Sequence, residues 1–132
     1  MNRLDPSKLA KSLLVIFAVV TLGYGLANAD AFDVVVLQFM FLPWIVGPAA
    51  LAAYFVKRYR TEPKAWLFLL AEAGAVASTV WLWVNLLMHP DAQNGIAMIL
   101  FPVAQFGVVL AFALAVTVTG VVWRFASSSA RR

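Results

Sequence analysis

The sequence predicts an all-α polytopic membrane protein: a bundle of four transmembrane helices, arranged as two helical hairpins, with both termini in the cytoplasm. Three observations carry that expectation. The 132 residues are 64% hydrophobic and only 12% charged, far from the half apolar and quarter charged of soluble domains. The apolar residues gather into four long runs separated by short polar segments. All ten lysines and arginines flank those runs in three clusters, and none stands in a face that could meet nucleic acid.

A small water-soluble fold could not hide this much apolar surface, because a domain of this size buries only about two thirds of what its unfolded chain exposes. The chain has no cysteine, which excludes disulfides, thiolate metal sites and iron–sulfur clusters. Packing must supply its stability. The lipid bilayer is therefore the expected solvent.

The first run spans about Leu9 to Ala27, enough at 1.5 Å per residue to cross a hydrocarbon core of about 30 Å. Arg3, Lys8 and Lys11 precede it. The same basic start, with Ala27-Asn28-Ala29 at the far end, also fits a cleaved signal peptide, which would leave three spans; the run is at the long end for such a segment. Gly23-Tyr24-Gly25 follows no strand and no Lys-Ser/Thr pair comes after it, so it reads as a place where helices touch, not as a phosphate loop.

The second run, about Val34 to Val56, carries Pro43 and Pro48. Each proline removes a backbone donor and frees a carbonyl in the preceding turn, which predicts kinks. Trp44 lies deep in this run and is expected to pack. Lys57, Arg58, Arg60 and Lys64 fill the next connection.

The third run extends from about Ala65 to Met88 and contains the one charged residue well inside a span, Glu72. It sits seven residues in, or roughly 10 Å below the boundary. A carboxyl at that depth is protonated, pairs with a donor or lines a wet cavity. On a helical wheel Ala71, Gly74, Ala75, Ser78, Thr79 and Asn85 share one side, with Glu72 at its edge. That small, polar side is expected to face other helices. The other side, Leu69, Ala73, Val76, Val80, Trp83, Val84 and Leu87, is expected to face lipid.

The fourth run, about Gly95 to Phe125, is the longest at roughly 45 Å and should tilt or protrude. It holds Pro102, a third expected kink, and Gln105, which lies within about a helical turn of the depth of Glu72 and is its best intramolecular partner. Arg124, Arg131 and Arg132 close the chain.

The connections Asn28 to Asp33 and His89 to Asn94 carry Asp30, Asp33 and Asp91 but no lysine or arginine. By the positive-inside rule they are external and the ends are cytoplasmic. Trp66, Tyr54, Tyr59 and Trp123 then fall at the inner boundary, and Trp81 and Trp83 near the outer one, as an aromatic belt requires. Leu42-Pro43 with Gly47 and Phe101-Pro102 with Gly107 form a weak internal echo, which suggests two related hairpins.

His89 is the sole histidine and reads as a loop residue, since no second ligand accompanies it. No nucleophile stands with a base at matching depth, and no two carboxylates pair. The expectation is a non-enzyme without metal or cofactor, in a bacterial-type inner membrane. Two function classes follow. One is an interaction protein, an accessory or assembly subunit or an immunity-type protein that binds another membrane protein, with Phe39, Phe41, Trp44 and the small side of the third helix as hot spots. The other is a small homo-oligomeric channel or ion-coupled transporter with Glu72 as the proton or cation site and Gln105, Ser78 and Thr79 as neutral ligands.

Overall fold

The computed structural model describes residues 5–27, 32–88 and 94–129, and the described residues form four α-helices: α1 (Pro6–Ala27), α2 (Phe32–Arg58), α3 (Lys64–Met88) and α4 (Asn94–Ser129). Each is long and apolar enough to cross a membrane. The apolar surface on the outside agrees: Ile16, Val19, Leu70, Trp81, Leu100, Leu114 and Trp123 are exposed, which water would not tolerate in a monomer. The chain is an integral membrane protein by composition and architecture.

The helices follow the apolar runs within a few residues. α1 starts three residues earlier than Leu9 because Asp5-Pro6 caps it: the Asp5 carboxylate accepts the Ser7 amide at 2.9 Å, and its carbonyl takes the Lys8 and Leu9 amides. Pro6 then occupies the first helical position, where its missing N–H costs nothing. α2 and α4 continue through Pro43, Pro48 and Pro102 as single helices. The short turn between α2 and α3 is held by the Tyr59 and Glu62 carbonyls, which accept the Glu62 and Ala65 amides.

α1, α2 and α3 pack together, and α4 lies against α2 more closely than against its sequence neighbour α3. The two ends of the interior differ in composition. Toward the basic end, Phe68 is the centre of an aromatic cluster, stacked on Phe55 at 4.9 Å and Tyr59 at 5.6 Å and meeting Phe112 edge-on at 5.3 Å. Toward the other end, Trp83 stacks on Tyr24 at 5.0 Å and on Phe17 at 6.0 Å. Between them Ala49, Ala52 and Ala75 are buried, small enough for backbones to approach. Gly25 of the Gly23-Tyr24-Gly25 segment is buried too, which fits the expected helix contact.

The expected face of α3 is corrected in part. Its buried stripe is Ala65, Phe68, Glu72, Ala75, Thr79 and Trp83, in steps of three and four. Trp83 belongs to the core and not to an outer aromatic belt, and Leu69 and Val76 are half-buried against the two clusters. The reason is α1, whose Phe17 and Tyr24 rings cover the Trp83 side of the helix. Ala73, Val80 and Val84 are exposed as expected, joined by Trp66, Leu70, Ala77 and Trp81.

The internal echo is not matched in environment. Pro43 is exposed and Pro102 buried; a Cβ on Gly47 would come within 2.5 Å of the Phe106 ring, whereas one on Gly107 would meet nothing. The connections bearing Asp30 and His89-Pro90-Asp91, the Asn28-Ala29 part of the alternative cleavage site, and Arg3, Arg131 and Arg132 lie outside the described residues.

Candidate functional site

Glu72 is 0% exposed, and neither carboxylate oxygen has a hydrogen-bond partner among the described residues. It occupies the step of the α3 stripe between Phe68, centre of the aromatic cluster, and Ala75, which packs with Phe17 and Ala49. The interior of the bundle therefore holds a carboxyl that the wheel put only at the edge of the small face. An unsatisfied polar group in such a place costs about 1–3 kcal/mol even when neutral, which is how a site with a purpose, or a strained fold, differs from ordinary packing.

Gln105, its expected partner, is engaged one turn further along α3. The Gln105 side-chain amide donates within range of three oxygens: Ser78 Oγ at 2.7 Å, the Ala75 carbonyl at 2.9 Å and Thr79 Oγ1 at 3.1 Å. Both hydroxyls also donate back to the Ala75 carbonyl, Thr79 at 2.9 Å and Ser78 at 3.1 Å. Among the described residues the Gln105 carbonyl oxygen receives only a long contact from Thr79, 3.4 Å. Three of the sequence-nominated residues thus come together, but around a backbone carbonyl and not around Glu72. Two amide hydrogens facing three acceptors must share at least one bond between two oxygens.

That network forms the deep end of a groove between α3 and α4. The groove has a volume of about 500 Å³ and is lined by Leu67, Leu70, Gly74 and Ser78 on α3 and by Phe101, Gln105, Val108 and Phe112 on α4, among others. Its origin is sterically plain. Ala71, Gly74 and Ala75 present almost no side chain, and α4 leans toward α2, so the small face of α3 looks at α4 without closing on it. A Cβ on Gly74 would meet nothing within 4 Å. Asn85, on the same side farther out, is exposed and joins no cluster.

On the opposite side of α4 the attachment to α2 is tight. The Trp44 indole N–H donates to the Ile99 carbonyl at 3.2 Å, and its ring tilts onto Phe106 at 5.9 Å. Ile99 adjoins Met98, whose carbonyl loses its helical donor because Pro102 has none. The sequence placed Trp44 in packing but gave no sign of this bond; a buried-depth tryptophan opposite a proline-bearing helix is the one clue available. Pro48 and Pro102 are buried and Pro43 exposed. Phe41 is exposed, while the Phe39 side chain lies outside the described part. Among the described residues no group of three His, Asp or Glu side chains is placed to hold a metal ion.

Comparison of the chain with protein-family models, with curated proteins and with solved structures finds no match in any of the three.

Proposed function

We propose that the protein acts by lateral association in the bilayer, as an accessory or assembly subunit or an immunity-type protein whose α2–α4 outer face binds another membrane protein. The observation that carries this reading is Trp44. It stands twelve residues from one end of α2 and fourteen from the other, near mid-membrane and far from the interfacial belts where tryptophans gather. Its only polar atom is spent on Ile99, yet the residue is 37% exposed. A flat ring held on two sides, with its N–H satisfied, offers contact area at little entropic cost, which is the profile of a hot spot. Met40, Phe41, Leu100 and Val103 extend the exposed apolar surface around it.

The orientation belongs to this proposal. With Lys57, Arg58, Arg60 and Lys64 at one end of the bundle, the positive-inside rule assigns that end to the cytoplasm together with both termini, in an inner membrane of bacterial type. A photoreactive residue in place of Met40, 72% exposed, should give one discrete protein adduct in native membranes, and mild-detergent pull-down should recover the same partner in fixed ratio. Adducts with lipid alone would contradict the reading.

A second reading is favoured by Glu72. A fully buried carboxyl without a partner among the described residues is the expected resting form of a proton or cation site in a small channel or transporter. Liposome flux distinguishes the two: proton or monovalent-cation flux that Glu72→Gln abolishes supports transport, and none in either protein supports association.

A further inference from the structure

We infer that the α3–α4 groove seats one acyl chain of an anionic phospholipid from the leaflet at the basic end of the bundle. This is independent of the proposed partner face, which lies on the other side of α4.

Three properties of the groove select this occupant. The first is length: from Leu67 to Ser78 is eleven residues, about 16 Å along the helix, and one leaflet of a 30 Å hydrocarbon core is about 15 Å. The second is width. A volume of about 500 Å³ over about 16 Å gives a mean section of about 30 Å², equivalent to a channel about 6 Å across. That accommodates one hydrocarbon chain, whereas a helix with its side chains is about 10–12 Å in diameter and could only lie across the opening. The walls are apolar apart from Ser78 and Gln105, whose groups already bond one another.

The third property is charge at the mouth. Lys64 stands one turn outside Leu67, and its ammonium reaches α4: a Cβ on Gly120 would lie 3.4 Å from Lys64 Nζ. Lys64 therefore stands beyond the open end where a headgroup phosphate would sit, exchanging its 3.1 Å ion pair to Glu62 and its place over the Tyr59 ring for the lipid. Surface pairs of that kind are weak, so the exchange is easy.

The test is native mass spectrometry of the detergent-purified protein titrated with phosphatidylglycerol or phosphatidylcholine. The parent should retain one lipid, with phosphatidylglycerol preferred at least fivefold. Gly74→Phe, which enters open space, and Val108→Trp, at an exposed groove position, should each lower retention at least tenfold while helicity and elution volume stay those of the parent. Lys64→Gln should erase the headgroup preference. A parent that keeps no lipid, or groove variants that keep as much as the parent, would overturn the inference. So would a photoreactive residue at position 108 that labels a second copy or another polypeptide instead of lipid. Failure at position 108 leaves adducts at position 40 untouched, so the two proposals fall separately.

Discussion

Glu72 places two oxygens in a fully enclosed position where no donor among the described residues meets them, and that makes it the residue most sensitive to chemistry rather than size. Replacement by methionine, similar in volume and without polar atoms, removes the unsatisfied group and should raise the thermal midpoint in mild detergent, by the equivalent of about 1–3 kcal/mol. Glu72→Gln keeps polar atoms in the same enclosure and should gain nothing. A methionine variant clearly less stable than the parent would mean that Glu72 has a stabilising partner. The existence of this position was legible in the sequence, since a single carboxylate stood deep in an apolar run. Its isolation was not, because the choice of Gln105 among acceptors depends on which turn of α3 approaches α4, and periodicity carries no information on that.

At the scale of elements, α4 is held firmly to α2 and loosely to α3. The firm side is Trp44 on Ile99 and Phe106 over Gly47. Gly47→Ala puts a methyl group into the Phe106 ring and should cost about 1–3 kcal/mol as an overpacked contact. Phe106→Leu in the same chain should recover much of the loss, so a double-mutant cycle should show coupling between the two positions. Independent, additive effects would show that the ring simply swings aside. The loose side depends on Gln105. Gln105→Leu leaves Ser78 and Thr79 bonded to the Ala75 carbonyl, so nothing is orphaned, and the cost should be about 0.6–1.7 kcal/mol, the range for interhelical bonds in membranes. Spin labels on the outer faces of α3 and α4 should then report a broader distance distribution; an unchanged one would assign the α3–α4 spacing to apolar packing alone. The sequence foresaw that the small face of α3 turns toward another helix, and Ala71, Gly74, Ala75 and Ser78 do line one wall of the groove. It misplaced Trp83, because the rings that cover it belong to α1 and are invisible to a helical wheel.

For the whole molecule, the legible part was the architecture. Runs of about twenty or more apolar residues admit one solution in lipid, since only a helix satisfies its own backbone polar groups; the four helices follow the runs to within a few residues. Which helices pack together was not legible, because small residues occur on several faces and the Trp44 bond to Ile99 and the Phe106 ring over Gly47 leave no periodic trace. The placement of the ten cations at the ends of apolar runs sets the proposed orientation and the charged mouth of the groove.

That orientation can be read directly, since the chain has no cysteine of its own. Single cysteines at positions 61 and 92 should be probed with a membrane-impermeant maleimide in sealed, right-side-out vesicles. Position 92 should label at once and position 61 only after the vesicles are opened. Immediate labelling at 61, or protection at 92, would contradict four spans with the basic ends inside.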